Sequence, residues 1–287
     1  MEWVLCYFTP SLAAAVMFVA LFGLSTILHF QQMISTRTWF MITFIIGGIL
    51  ETIGYIGRIL SAIEAPNYTV GPYAMQSALI LIAPAFLAAT IYMELGRIIN
   101  LTHAESPYVV RPKWLTAIFV AGDVISFLMQ ASGAGLMVES PNNPTSGEHI
   151  ILGGLFVQII FFGFFLITSF LLQLRLRRSP TAQSVELRGL WRKHLYCLYA
   201  AGILIFCRSI IRVVEYLQGY DGYLATHQVF IYVFDALLMF GVMCLFHAFH
   251  PSELNCFLGR AEKYVSKGLF IRGFVPSVDE EKSTDAV

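Results

Sequence analysis

Seven long apolar stretches are the feature of this sequence that most limits how the chain can fold. Each contains about twenty residues or more, which is enough for an α-helix to cross the hydrocarbon core of a bilayer. Hydrophobic residues make up 57% of the 287 residues and charged residues only 13%, whereas a soluble domain carries about 25% charged residues. We therefore predict an all-α, polytopic membrane protein built as a seven-transmembrane-helix bundle. The predicted helices lie near 11–30, 39–61, 73–98, 115–138, 150–174, 193–216 and 228–249.

The positive charges predict how these helices are oriented. Fifteen of the eighteen lysines and arginines lie in alternate connections, at their edges, or in the C-terminal tail, and the connections between them have none. Because Lys and Arg concentrate on the cytosolic side of membrane proteins, we expect the N-terminus outside and the C-terminus in the cytosol. The chain then divides into a membrane domain, 1–249, and a cytosolic tail, 250–287. The acidic end of the tail, 279–285, has the composition of a disordered segment.

Two N-glycosylation sequons are consistent with this orientation. Asn67 lies in the connection between the second and third helices, which we expect outside, so it is the predicted glycosylation site. Asn100 lies on the predicted cytosolic side and should be unmodified.

Charged residues inside the second predicted helix are the first functional signal. Glu51, Tyr55 and Arg58 are spaced i, i+4 and i+7, so they share one face of a helix. A charged side chain at membrane depth costs a few kcal/mol on insertion scales and usually lines a site or a path. A partner for these charges is therefore expected elsewhere in the bundle.

The sixth predicted helix repeats the pattern with Arg208, Arg212 and Glu215 at i, i+4 and i+7. The predicted orientation puts Arg212 and Glu215 in the outer half of the membrane, together with Arg58 and with Asp235 of the seventh helix. We expect helices 2, 6 and 7 to converge, with Arg58 pairing with Glu215 or Asp235. The deeper Glu51 is expected to face Arg208.

Buried amides and one further acid complete the set of candidate residues. The charges either line a cavity that handles a polar headgroup, or they neutralise each other and fix helix packing. We interpret them as a substrate-binding or translocation site. Its candidate residues are Glu51, Tyr55, Arg58, Gln76, Asp123, Gln130, Gln158, Arg208, Arg212, Glu215 and Asp235.

The sequence gives no signal for catalysis, metals or cofactors. It has no HExxH motif, no Cys/His cluster with zinc spacing and no GxxxxGK[ST] nucleotide loop. His247 and His250 share a helix face and would allow metal ligation, but we interpret them as histidines at the membrane interface. No basic run interleaved with aromatics suggests nucleic-acid binding. We therefore expect no catalytic residues, no metal, no cofactor and no nucleic-acid partner.

Three residues predict local features of the helices. Pro84 lies inside the third helix, where it frees a backbone carbonyl and favours a kink. Gly133 and Gly135 in the fourth helix are typical of close helix packing.

Read together, six segments form an ordered pattern across helices 2 to 7. This pattern resembles the fungal lipid-translocating exporter family, also called the aminocholesterol-resistance or RTA-like family. The segments are Glu51-x2-Gly54-Tyr55-x2-Arg58, Ile82-Ala83-Pro84-Ala85 with Ala88-Ala89 and Tyr92, Asp123-x6-Gln130, Gly154-Leu155-x2-Gln158, Arg208-x3-Arg212-x2-Glu215 and Tyr232-x2-Asp235.

The resemblance implies a fungal seven-helix membrane protein that mediates the export or outward translocation of an amphiphilic lipid. The cargo would be sphingoid-base-like, sterol-like or a toxic amphiphile, and the protein would contribute to stress resistance. The plasma membrane is the implied location, with the vacuole or another endomembrane as the alternative. One departure is that the family usually has His-Glu before helix 7, whereas this chain has His227-Gln228.

Two other functions fit seven helices with an external N-terminus. The first is a receptor or sensor for a lipid or stress ligand, although Glu94-Leu95-Gly96-Arg97 is a poor substitute for the Asp-Arg-Tyr of G-protein-coupled receptors. The second is a membrane-embedded enzyme that uses intramembrane acids, which we do not favour because no nucleophile motif is present. The partner expected from the sequence is a membrane lipid or amphiphile, and the sequence carries no signal for an oligomeric state.

Overall fold

A computed structural model shows seven helices that are long and apolar enough to cross a membrane. The prediction of an all-α, seven-helix integral membrane protein is thus confirmed, while the side that each terminus faces stays a prediction. Asn67 and the acidic end of the tail lie outside the described residues. The structure describes residues 11–64, 69–102, 112–139, 145–218, 222–261, 263–266 and 269–272.

The helices follow one another with short connections. The seventh span is composite, because α9, a π-helical segment (Tyr232–Leu237) and α10 run on as one helix. A 3-10 turn, Trp39–Met41, leads into α2. The helices are α1 (Leu12–Thr36), α2 (Ile42–Ile63), α3 (Val70–Leu101), α4 (Pro112–Glu139), α5 (Thr145–Arg178), α6 (Ala182–Glu186), α7 (Arg188–Gln218), α8 (Tyr223–Thr226), α9 (Gln228–Ile231), α10 (Leu238–Ala248) and α11 (Ser252–Phe257).

Helix α3 is the axis of the bundle. It packs against α2, α4 and α7, while α1 closes the ring by packing against α2 and α10. In its most apolar 18 residues, 67% are buried inside the protein, a larger share than in any of the other six spans. Because lipid tails are as apolar as leucine, burial alone does not hold such helices together, and close packing and polar contacts must do so.

The C-terminal segment packs onto one end of the bundle, which we call the tail end; the opposite end is the distal end. Helix α11 contacts α3, and an antiparallel hairpin of β1 (Lys263–Ser266) and β2 (Leu269–Arg272) follows it. Leu254 and Val265 are fully buried, and the Val265 amide donates to the Ser252 hydroxyl at 2.9 Å. This part of the predicted tail therefore belongs to the packed structure.

At the distal end, Glu64 follows α2 and binds the start of α3. Its carboxylate accepts hydrogen bonds from the Thr69 amide at 3.0 Å and the Thr69 hydroxyl at 2.7 Å. These hydrogen bonds hold the pKa of Glu64 below its ordinary value, because they favour the charged form. The contact ties the ends of the connection that contains Asn67.

Helices α4 and α5 pack closely through small residues. A Cβ on Gly133 would lie 2.7 Å from the Gly147 carbonyl oxygen and 3.0 Å from the Ile151 amide nitrogen. The Ser126 hydroxyl donates to the Gly154 carbonyl at 2.7 Å across the same interface. Gly133 thus has the packing role expected from the sequence, but Gly135 does not, because a Cβ there would meet nothing within 4 Å.

We predict that Gly133→Ala destabilises the protein and that Gly135→Ala does not. The added methyl group at Gly133 meets backbone atoms, which cannot swing aside, so α4 and α5 must separate at a cost of about 1–3 kcal/mol. Thermal unfolding of the two variants in detergent, followed by fluorescence-detected size-exclusion chromatography, compares them. Equal melting temperatures would contradict this account of the α4–α5 interface.

Candidate functional site

Four charged residues form an ion-paired cluster between α7 and the π-helical segment. The Asp235 carboxylate lies between two arginines of α7: Arg208 Nε donates to Oδ1 at 2.5 Å, and Arg212 Nη2 donates to Oδ2. Arg212 Nη1 also donates to Glu215 at 3.0 Å. Arg208 is fully buried and Asp235 is 4% exposed. We call Arg208, Arg212, Glu215 and Asp235 the ionic cluster.

The π-helical segment contributes Asp235 to this cluster. Such wide turns are rare and occur frequently at functional sites, because they change the direction in which side chains leave the helix. The segment covers Tyr232–Leu237, and both Tyr232 and Asp235 within it are buried. The only polar side chains of the segment therefore face the bundle interior.

Arg208 also ties α7 to α3. Its Nη2 donates to the Ile80 carbonyl at 2.8 Å. In a regular helix that carbonyl would accept from the amide four residues later, but this residue is Pro84, which has no N–H. The carbonyl that Pro84 was predicted to free is thus the one that Arg208 binds.

The charged face of α2 meets the cluster from the other side. Glu51 is 1% exposed and lies close enough to Asp235, Arg208 and Arg212 to interact with them electrostatically. Neither carboxylate oxygen of Glu51 has a hydrogen-bond partner among the described residues, and the same holds for the Tyr55 hydroxyl. Helices α2, α7 and the seventh span therefore converge here, as the spacing led us to expect.

Arg58 has a different contact from the expected one. Its Nε donates to the Tyr232 hydroxyl at 2.9 Å, and the guanidinium lies over the Tyr232 ring at 4.9 Å from the centroid. The carboxylates of Asp235 and Glu215 are instead bound by arginines of α7. Tyr232 also donates to the Ser11 carbonyl at 3.2 Å, so Arg58 reaches α1 through it.

A pocket opens beside the ionic cluster. It is a narrow cleft with room for about one water molecule, between α7 and the segment from α8 to the π-helical turn. The four charged residues form its polar side, and aromatic and aliphatic side chains form the rest. The apolar lining residues are Ile211, Leu224, Phe230, Ile231 and Phe234.

Three predicted site residues lie elsewhere, and a fourth, Gln76, lies on α3 one turn before Ile80. Gln130 donates to Gln158 at 3.4 Å and to Ser126 at 2.7 Å, so both glutamines belong to the α4–α5 interface. Asp123 is buried beside Tyr92 of α3. Gln76 is buried on α3 and its Oε1 has no partner in the described part of the chain.

Sequence reasoning missed two members of the site. Tyr232 was not among the candidates, although it lies three residues before Asp235, and the Ile80 carbonyl has no side-chain signature. Only the position of Pro84 four residues later marks that carbonyl. The unusual Gln228 accepts a hydrogen bond from the Ser11 amide at 2.8 Å, a contact that the oxygen of a glutamate would also make.

Three histidines, His29, His247 and His250, lie close together at the tail end, and each has its own contacts. His247 contacts the Ser25 hydroxyl at 3.1 Å, His250 contacts the Ser252 hydroxyl at 2.8 Å, and the His29 ring stacks on His247 at 3.7 Å between centroids. Within the residues that the structure describes, no group of three or more His, Cys, Asp or Glu side chains is arranged to hold a metal ion.

Comparison with known proteins identifies relatives that share most of the chain. The family model described as "RTA1 like protein" matches residues 44–258. The chain is 37% identical to protoporphyrin uptake protein 1 of Saccharomyces cerevisiae, covering 85% of this chain and 91% of the relative. It is 34% identical to protein RTA1 of the same yeast (85% and 84%) and 26% identical to its sphingoid long-chain base transporter RSB1 (84% and 72%). No solved structure matches. The family resemblance drawn from the ordered motifs is confirmed.

We predict that Asp235→Asn strongly destabilises the protein, because it leaves Arg208 and Arg212 without their shared carboxylate. Breaking a buried ion pair on one side costs about 3–5 kcal/mol. Adding Arg212→Gln should recover part of this loss, since it removes one uncompensated charge. Chemical denaturation of the single and double variants gives the coupling free energy.

Asp123→Asn is the control for Asp235→Asn, because it makes the same substitution at another buried aspartate. Asp123 has no ion-pair partner within the described chain, so Asp123→Asn should cost much less than Asp235→Asn. Additive effects of Asp235→Asn and Arg212→Gln would contradict the proposed coupling.

Proposed function

The chain belongs to the RTA1-like family, and on that basis we propose that it translocates an amphiphilic lipid across its membrane. The observation that carries the proposal is the pocket beside the ionic cluster. The cleft is too narrow for a lipid unless the segment from α8 to the π-helical turn moves away from α7, but its lining combines charged groups for a headgroup with apolar and aromatic walls for a hydrophobic body. Translocation of a lipid requires that combination, because the headgroup needs polar partners while it crosses the apolar core.

The ionic cluster suits a headgroup because its charges are already balanced. Arg208 and Arg212 face Asp235 and Glu215, so each of these four charges is paired within the cluster. An amine headgroup would compete for the carboxylates, and an acidic headgroup would compete for the arginines. Exchange of one ion pair for another lets the site bind and release its cargo at a modest net cost.

Glu51 adds a carboxylate that no described residue satisfies. Its oxygens lie in the electrostatic range of the cluster and are buried. A buried carboxylate is stabilised by a cation or a hydrogen-bond donor, and an amine headgroup supplies both. We therefore infer that Glu51 is the acid that favours amine-bearing cargo.

The relatives narrow the cargo class. One is named a sphingoid long-chain base transporter and another a protoporphyrin uptake protein. We propose a sphingoid base as the cargo, because its amine would pair with the carboxylate of Glu51, which has no hydrogen-bond partner among the described residues. Sterol-like and other toxic amphiphiles are the wider class of candidate cargo. A porphyrin carries carboxylates instead, so its transport tests whether the site prefers an acidic cargo to an amine. Export across the plasma membrane, with the tail in the cytosol, is the proposed setting.

We predict that Glu51→Gln lowers the export of a long-chain base about tenfold or more. The loss of a charged hydrogen bond is equivalent to about 1.5–3 kcal/mol. The fold should be preserved, because the Glu51 oxygens have no partner to lose. The measurement is release of labelled long-chain base to albumin from cells that lack other family members, normalised to surface expression.

The control variant is Glu186→Gln, which makes the same change at an exposed position of α6, at the tail end of the bundle. It should export normally. The N-acetylated base and a porphyrin dicarboxylate form the cargo panel, and both should be insensitive to Glu51→Gln. Normal export of the base by Glu51→Gln would refute the role of this acid, and no export of any cargo by the wild type would refute lipid translocation.

A further inference from the structure

A second buried polar network lies at the tail end of the bundle. His194 of α7 contacts two carboxylates, Glu94 of α3 through Nδ1 at 2.9 Å and Glu253 of α11 through Nε2 at 3.2 Å. Lys193 donates to the same Glu253 oxygen at 2.6 Å. The side chains of His194 and Glu94 are fully buried, and that of Glu253 is 13% exposed. One histidine thus links three separate helices.

The proton count of this network is unusual. Both ring nitrogens of His194 face a carboxylate oxygen, and each contact needs a hydrogen between the two atoms. A neutral imidazole has one N–H, so two ionised carboxylates and a neutral His194 would place a nitrogen lone pair against an oxygen lone pair. The arrangement therefore holds one additional proton, either on the imidazole or on one of the carboxyl groups.

The surrounding groups do not remove this requirement. On α3, Arg97 lies near Glu94, and on α7, Cys197 lies near it as well. His250, between α10 and α11, faces His194 from the third side. Lys193 donates to Glu253 and lies over the Phe249 ring, and Arg97 Nε donates to Asn255 of α11 at 3.0 Å. None of these groups supplies a hydrogen to the contacts between His194 and the two glutamates.

The network is aligned with the ionic cluster along the α3–α7 interface. Ile80 and Glu94 are fourteen residues apart on α3, and His194 and Arg208 are fourteen residues apart on α7. At a rise of 1.5 Å per residue the two polar contacts are about 21 Å apart. The side chains between them include Leu87, Ile91, Ala201 and Ile205, which are fully buried and apolar. Helices α3 and α7 are therefore bound to each other by polar groups at both ends of an apolar interface.

We propose that Glu94, His194 and Glu253 form a proton-binding site that latches α11 to the bundle. While the additional proton is bound, both contacts of His194 are satisfied and α11 stays docked on α3 and α7. When the proton leaves, the contact to Glu253 is lost before that to Glu94, because it is longer and the Glu253 side chain is partly exposed; the Lys193–Glu253 pair alone then holds α11 less firmly. The proton passes to water beside the exposed part of Glu253.

The latch predicts a definite sign for the effect of pH. The docked form binds one proton more than the released form, so release increases as pH rises. For a single proton the equilibrium changes by at most about tenfold per pH unit. This inference does not depend on the cargo, because it concerns only the docking of the C-terminal segment.

The test is hydrogen–deuterium exchange of the full-length protein in lipid nanodiscs. Protection of residues 252–266 is measured between about pH 5.5 and about pH 8.5, a range that includes the ordinary histidine pKa of about 6.5. Each value is normalised to the unfolded peptide at the same pH. We expect the protection factor of this segment to fall several-fold as the pH rises.

Glu253→Gln separates a latch from mere packing. The glutamine amide donates to the His194 lone pair and replaces the proton, so α11 should stay protected at every pH. His194→Gln removes the link and should leave α11 poorly protected throughout. Glu186→Gln on the exposed face of α6 is the matched control and should behave as the wild type.

Two results would overturn the latch. The first is a protection factor of the wild type that does not change with pH. The second is an unchanged pH dependence in Glu253→Gln, which would assign the titration to another group. The second result comes from Glu253→Gln, so it still tests the latch if His194→Gln fails to fold.

Discussion

The buried carboxylate of Asp235, held between Arg208 and Arg212, is the interaction on which the distal half of this protein depends. Charges at membrane depth are tolerated only when they are paired or solvated. The pairing fixes the π-helical segment against α7, and Arg208 extends it to the Ile80 carbonyl of α3. A single acid thereby sets the relative positions of three helices.

The same interaction explains why a proline sits in the most buried helix. Pro84 removes a hydrogen bond from α3, and an unsatisfied carbonyl in an apolar interior costs free energy. Arg208 compensates for this loss, so the helix continues through Pro84 without an orphan group. Inside a bilayer the hydrophobic effect does not favour helix–helix contacts over helix–lipid contacts. Polar contacts of this kind and the close approach at Gly133 therefore specify how the helices pack.

The two ends of the α3–α7 interface are chemically different. The distal end presents balanced charges to a narrow cleft with apolar walls, which we propose as the cargo site. The tail end joins His194 to two glutamates and ties in α11, which is an arrangement for holding a proton.

The sequence by itself determined the number of spans, because length and apolarity suffice for that, and it determined the family through the ordered motifs. It also determined which side chains share a face, since i, i+4 and i+7 spacing fixes this on any helix. It did not determine how each helix is rotated against its neighbours or which charges meet. For that reason Arg58 was expected to pair with Glu215 or Asp235, which the arginines of α7 bind instead, while Gln130 and Gln158 were grouped with a cluster that they do not join.

Only the tertiary structure decided these partners, because they are far apart in the chain. Glu94, His194 and Glu253 are separated by 100 and 59 residues, and no periodicity links them. The bond from Arg208 to Ile80 spans 128 residues and ends on a backbone atom that any residue would offer. Helix periodicity defines faces, whereas rotation, depth and the π-helical turn define contacts, and those depend on the packing of all seven spans together.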